Sequence, residues 1–298
     1  MSSFPKVFVA GATGLLGGRI VQALLDRGAP VRALVRPGTG EEKRSSLAGL
    51  RARGLELVEG DITDPAERLA EAVGDATTVI SAVQGGPDVI VDGQVNLVRA
   101  AEKAGARRFV PSDFAFDLTK LDDGDNFMID WRRQAAAAFT GADLEVVSVL
   151  NGAFYEVMTG FMGLIDWEQG TLSHWGDPDQ PLDLTSVADT AAYTAAVALD
   201  PAATGTLRFA GEVMSMRRFH DAVQRGSGRT LRLRHLGTAD DLRAEIARRA
   251  ALTDNPFDYV ALQYQWCMVS GKAKFDTLDN ARYPEVTPLP LTDFVRAL

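Results

Sequence analysis

The stretch Val7-Phe8-Val9-Ala10-Gly11-Ala12-Thr13-Gly14-Leu15-Leu16-Gly17 decides the fold. An apolar run ends in a glycine turn, and a helical pattern follows through Leu16, Ile20, Ala23 and Leu24, with Gly28 as its stop. Gly11, Gly14 and Gly17 stand at a G-x-x-G-x-x-G spacing. Such a turn needs a glycine to leave the strand sharply. It needs a second so that backbone can approach a pyrophosphate, and a third so that the helix lies close to the sheet. The free N–H groups at the start of the helix then attract phosphate. Glycine turns are common, but one set between a strand and a helix reads as a dinucleotide site.

Outward from this turn, strands and helices alternate. Apolar runs at residues 7–10, 31–35, 55–58, 78–82, 108–110 and 144–149 predict strands, with helical patterns at 15–27, 41–53, 66–73, 89–104 and 131–139 between them. Alternation of this kind implies an α/β fold, a Rossmann-type doubly wound parallel sheet with helices on both faces. Ligands of such sheets sit beyond the carboxyl ends of the strands, so the residues just after each strand carry the information. Past Asn151 the rhythm breaks. Residues 154–167 read as a helix, a Gly-, Asp- and Pro-rich loop follows, and residues 187–199 read as a helix stopped by Pro201. The expected organisation is a nucleotide-binding domain over 1–150, also using part of 183–210, and a smaller C-terminal substrate lobe over 151–298.

Composition narrows the function. The 298 residues are 46% hydrophobic with a net charge of −9, which argues against broad nucleic-acid or anionic-membrane binding. No apolar run reaches the roughly 18 residues needed to span a bilayer, and the first strand starts too early for a signal peptide, so the chain reads as cytoplasmic. The single cysteine, Cys267, sits among aromatic residues and reads as a buried structural thiol. His174, His220 and His235 lie far apart and show no metal-ligand spacing.

The cofactor is read from the end of the second strand. A fold that binds NAD usually places Asp or Glu there to accept bonds from the ribose 2′-hydroxyl. Here the strand VRALV runs into Arg36, whose guanidinium suits a 2′-phosphate, with Lys43 or Arg44 as a second cation. NADP(H) is therefore favoured, although Glu41 or Glu42 would bind a ribose hydroxyl if their loop folded back. The expected cofactor contacts are Gly11, Thr13, Gly14, Leu15, Leu16 and Gly17 in the turn, then Arg36, Lys43 and Arg44. Asp61 would touch the adenine edge or cap a turn. Ser81, Ala82 and Val83 end the fourth strand, and Pro111 and Ser112 end the fifth.

Several stretches together resemble the NmrA-like and isoflavone-reductase-like group of atypical short-chain dehydrogenases. They are VAGATGLLGGRI, Gly60-Asp61, VISAV, GQVNLVRAAEKAGARRFVPSDFAFD, the run from Gly176 to Leu199, and ALQYQWCMVSGKAKFDTLDNARYP. The resemblance implies the Rossmann fold, NADP(H), and reduction of a small hydrophobic substrate: an enone, quinone or isoflavone-like aromatic. The group also holds members that sense NADP(H) and dock transcription factors. In its plant reductases the general acid/base is a lysine eleven residues before the glycine that precedes the sixth strand. Counting back from Gly141 gives Asp130, and the next basic position is Arg132. A carboxylate donates no proton unless burial raises its pKa, whereas Arg132 would steady negative charge on a substrate oxygen. No tyrosine has a lysine four residues later, which removes the pair used by ordinary alcohol dehydrogenases of this superfamily.

The catalytic candidates are thus Asp130, Arg132, Tyr155 and Ser112. Ser112 would bond substrate or cofactor, or cap its loop. Asp130 would act as an acid, or stabilise the start of its helix. Tyr155 would donate a proton. Phe154 would wall the nicotinamide ring, or pack in the core, and His174 and Trp175 would line a pocket or sit on an exposed hairpin. The chain is expected to work as a monomer or homodimer.

Overall fold

The computed structural model describes residues 4–45 and 47–298; the Glu42 side chain and Ser46 lie outside the described residues. Six strands, β1 (Val7–Ala10), β2 (Val31–Val35), β3 (Glu56–Glu59), β4 (Thr78–Ser81), β5 (Arg108–Val110) and β6 (Glu145–Leu150), join a later strand in one sheet. After β6 come β7 (Ala153–Phe154), β8 (Ile165–Asp166), β9 (Thr171–His174), β10 (Pro181–Thr185), β11 (Gly205–Arg208), β12 (Glu212–Ser215) and β13 (Arg232–His235). The large sheet has the order β11-β6-β5-β4-β1-β2-β3. β1 pairs in parallel with β2 and β4, β2 with β3, β4 with β5, and β5 with β6. That is the Rossmann order, which reverses direction between β1 and β4.

The helices are α1 (Leu15–Asp26), α2 (Glu41–Ser45), α3 (Ala48–Arg51), α4 (Ala66–Val73), α5 (Gln94–Lys103), α6 (Phe127–Ala138), α7 (Val187–Leu199), α8 (Met216–Ser227), α9 (Ala239–Ala250), α10 (Val260–Val269) and α11 (Leu291–Arg296). Alternation along the strands sends side chains to two faces. Phe8, Val79 and Phe109 join one core with Leu69 and Val73 of α4 and Leu97 and Val98 of α5. On the opposite face Thr78 donates to the Ala198 carbonyl and Arg108 to the Val197 carbonyl, both in α7.

Several expected elements differ. The segment 41–53 forms two short helices, α2 and α3, and Asp88–Gly93 is a π-helical turn leading into α5. Residues 154–167 are not one helix. Phe154 pairs with Thr185 of β10 and Ile165 with Leu172 of β9, leaving one π-helical turn at Val157–Phe161. Gly163, at φ +63°, ends the helical run just before strand pairing takes over at Ile165. α6 starts at Phe127, earlier than expected, so Asp130 lies inside its first turn.

The chain divides into two units of nearly equal length: 1–114, 131–149 and 190–207, and 115–130, 150–189 and 208–298. The first contains nearly all of the large sheet. The second has its own core, with Phe116, Met158, Leu172, Phe219, Trp266 and Leu291, and two three-stranded sheets, β12-β10-β7 and β13-β9-β8. α10 contributes Trp266, Cys267 and Met268 to this core, and burial pushes the Cys267 thiol up to about 12. No helix among the described residues is long and apolar enough to cross a membrane.

Candidate functional site

The site begins where β1 ends. Gly11 has φ +88°, which L side chains rarely adopt, and a Cβ there would lie 2.3 Å from the Ala82 carbonyl oxygen and 3.1 Å from the Val83 nitrogen. Ala82 in turn donates its N–H to the Ala10 carbonyl at 2.9 Å. The turn is thus pressed against the end of β4 at the switch point of the sheet. A Cβ on Gly17 would lie 2.2 Å from the Gly11 carbonyl oxygen, so Gly17 admits close approach of helix to turn more directly than of helix to sheet. Gly14 is different. It has φ −85°, and its added Cβ would meet only Gly11 O, at 3.2 Å. Gly14 is the N-cap of α1 and offers no side chain to cap it, so the first N–H groups of a twelve-residue helix stay available. Thr13 and Leu16 are half-buried, and Leu15 is 63% exposed.

Beyond β2, Arg36 is exposed, and Thr39 closes the turn after it by donating N–H and Oγ to the Arg36 carbonyl at 3.1 and 2.7 Å. Lys43 is exposed too. Arg44 is committed elsewhere: it donates to Glu59 Oε1 at 2.7 Å and to the Thr39 carbonyl at 3.1 Å. Asp61 takes the capping arrangement, accepting the Thr63 N–H and hydroxyl at 3.0 and 2.8 Å. Burial pushes its carboxyl upward, but the two Thr63 bonds and the charge of Arg36 outweigh that and hold it below the usual range.

The ends of β4 and β5 are stitched together. Ser112 donates its hydroxyl to the Val83 carbonyl at 2.7 Å and its N–H to Gln94 Oε1 at 2.8 Å. Gln94 is fully buried and fixed by donating to the Ile90 carbonyl at 2.8 Å. Arg132, 7% exposed, donates Nε–H to the Ser112 carbonyl at 2.9 Å. Its guanidinium is buried beneath the strand ends, where it positions Ser112 and offsets a buried negative charge.

That charge belongs to Asp113. Its Oδ2 accepts the Ser148 hydroxyl at 2.7 Å, while its Oδ1 is buried with no hydrogen-bond partner. Burial raises its pKa to about 6, against the opposing Ser148 bond and the Arg132 charge. Gln94 and Asp113 are site residues that no local sequence motif singles out. The visible signal for each was a polar residue in an otherwise apolar setting.

The other candidates belong to the second unit. Asp130 Oδ2 accepts the Gly124 N–H at 3.0 Å and so fastens the loop before α6. Phe154 is half-buried in β7. Tyr155 is fully buried, its ring tilted against Phe294 at 5.5 Å and its hydroxyl donating to Glu212 Oε2 at 3.1 Å. Burial and the neighbouring Glu212 carboxylate drive the phenol pKa upward. A buried phenol already donating to a carboxylate is a poor acid, so the proton-donor role for Tyr155 gives way to a core role. His174 is buried at the end of β9 and stands beside His235 of β13.

A Rossmann sheet with a glycine turn at its switch point defines a dinucleotide-binding type of protein. The particular family follows from comparison with known proteins: the NmrA-like family model matches residues 4–292, and the chain belongs to that family. Pinoresinol reductase 1 of Arabidopsis thaliana is 25% identical over 311 aligned positions, covering 98% of this chain and 96% of that protein. Phenylcoumaran benzylic ether reductase PT1 of Pinus taeda is 37% identical over a shorter match, 41% of this chain and 39% of that protein. Among solved structures, an isoflavone reductase aligns with a TM-score of 0.85 at 20% identity, covering 99% of each chain. A pinoresinol reductase with NADP+ and (+)pinoresinol aligns with a TM-score of 0.83 at 22% identity, covering 100% of this chain and 99% of that one. These likenesses establish a shared fold.

Proposed function

We propose that this protein is an NADP(H)-dependent reductase that delivers hydride to a hydrophobic aromatic or conjugated small molecule, of the enone, quinone or isoflavone-like kind. The observation that carries the reading is the β1–α1 turn. Its Gly11 packs against the end of β4, Gly17 packs against Gly11, and its helix N-terminus is left without a side-chain cap. The residues present fit the cofactor. A side chain at Gly11 or Gly17 would fill the turn, and Arg36, not a carboxylate, follows β2. The names of the relatives point to the same chemistry: pinoresinol, phenylcoumaran ethers and isoflavones are aromatic small molecules.

In this reading the cofactor supplies the hydride. Backbone N–H groups at Thr13, Leu15 and Leu16 would hold the pyrophosphate, while the Gly14 N–H closes the turn on the Gly11 carbonyl at 2.9 Å and its missing side chain leaves room; Arg36 with Lys43 would hold the 2′-phosphate. Arg44 would join them only by leaving Glu59. Ser81, Ala82, Val83, Pro111 and Ser112 stand at or just beyond the carboxyl ends of β4 and β5, where their backbone would face the bound cofactor. Gln94 and Arg132 keep Ser112 in place, so that catalysis rests mainly on orientation. Substrate selection is assigned to the second unit. With Tyr155 in the core, proton delivery would fall to Ser112 or to water. We also read the chain as a cytoplasmic monomer or homodimer that acts on small molecules.

One observation favours a second reading, a non-catalytic NADP(H) sensor: the lysine position of the plant reductases is Asp130, and its carboxylate is bonded to Gly124. The test is NADPH consumption against a panel of quinones, enones, isoflavones and phenylpropenyl ethers. The reductase reading expects turnover with at least one class. Tight NADPH binding with no turnover across the panel would favour the sensor.

A further inference from the structure

β9 and β13 pair in parallel so that His174 stands opposite His235. Their ring centroids are 5.1 Å apart with a 34° tilt between planes. The two imidazoles line a cleft of about 500 Å³ whose other walls include Gly176, Asp177, Thr238 and Val269. His174 Nδ1 faces the Trp175 carbonyl at 3.2 Å, so that nitrogen carries the proton and Nε2 keeps its lone pair. Neither His174 Nε2 nor the His235 ring makes a hydrogen bond among the described residues. By contrast His220, the third histidine, donates or accepts at both ring nitrogens, facing Leu231 O and Asp221.

The geometry points to a two-imidazole site for a borderline divalent metal, Zn2+ above all, in this cleft of the second unit. Zn–N bonds of about 2.0–2.1 Å at a roughly tetrahedral angle place two ring centroids on the order of 5 Å apart. A backbone carbonyl on the far nitrogen is the usual means of orienting a ligating imidazole. The exposed Asp177 carboxylate lies among the cleft residues and lends negative charge. No group of three or more His, Cys, Asp or Glu among the described residues is arranged to hold a metal, so water completes the shell. Binding by two imidazoles is accordingly modest. The bound ion would tie β9 to β13.

The test is calorimetric titration of the full chain, free of any histidine tag, with Zn2+ alone at pH 7.5. One site is expected, weakened by about tenfold or more in His174→Gln and in His235→Gln. His235 is exposed, so that variant keeps the fold, as a zinc-free melting curve would verify. Absence of a micromolar site in the unaltered chain would overturn the proposal, as would a site that His235→Gln leaves unchanged. NADPH turnover does not enter the readout, so the inference stands or falls apart from the reductase reading.

Discussion

Gly11 and Ala82 meet so closely that a single methyl group on Gly11 would lie 2.3 Å from the Ala82 carbonyl oxygen. That contact locks the β1–α1 turn to the end of β4, and it makes Gly11 and Gly14 separable by experiment. Gly11→Ala meets both a carbonyl and a left-handed backbone, and is expected to cost about 2–4 kcal/mol of stability. Gly14→Ala has φ −85° and a 3.2 Å contact, so the fold should survive. Its NADPH affinity should nonetheless fall at least about tenfold, because the methyl occupies the approach to the helix N-terminus. Thermal melting and fluorescence titration separate the two effects.

Arg36 follows β2 where a carboxylate would mark an NAD site. Arg36→Gln should weaken NADPH by about 10–100-fold, in line with the loss of a charge-assisted hydrogen bond, and leave NADH nearly unchanged. Equal losses for both nucleotides would remove Arg36 from 2′-phosphate recognition.

Asp113 gives the fold a pH signature. Its pKa is raised from 3.8 to about 6, so between those values the folded chain holds a proton that the unfolded chain has released. Stability from this group is therefore present at the acid end of the window and is lost as pH rises through about 6. The loss is on the order of 3 kcal/mol by pH 7. Asp113→Asn should flatten that part of the stability curve in chemical denaturation from pH 4 to 7. An unchanged slope would show that Arg132 and Ser148 compensate the charge fully.

Tyr155 offers the clearest contrast between a core role and a chemical one. Tyr155→Phe removes the bond to Glu212, whose Oε2 still accepts the Leu291 N–H at 2.6 Å. The expected cost is about 1 kcal/mol of stability with kcat unchanged. A loss of kcat by a hundredfold or more would restore Tyr155 as the proton donor.

The Rossmann half was legible because local rules govern it. A glycine turn, strand–helix alternation and apolar periodicity are encoded in neighbouring residues, and β1 to β6 follow them. The second unit resisted the same reading. Phe154 and Ile165 look helical in isolation, and only pairing with Thr185 and Leu172 makes them strands. Site residues fared by the same measure. The turn at Gly11–Gly17 is a local motif, whereas the bond from Arg132 to Ser112 and the burial of Asp113 depend on α6 lying under the ends of β5 and β6. His174 and His235 likewise become neighbours only through the register of β9 and β13.

The central claim is hydride transfer from NADPH to a small aromatic or conjugated acceptor. The most direct measurement supplies NADPH deuterated at nicotinamide carbon 4 with each member of the acceptor panel and follows the label by mass spectrometry. A reductase should, with one hydride epimer of the cofactor, place deuterium on carbon in the product of at least one acceptor class. Binding of the labelled NADPH in the same preparation, with no label moved to any acceptor, would contradict the claim and leave a nucleotide sensor.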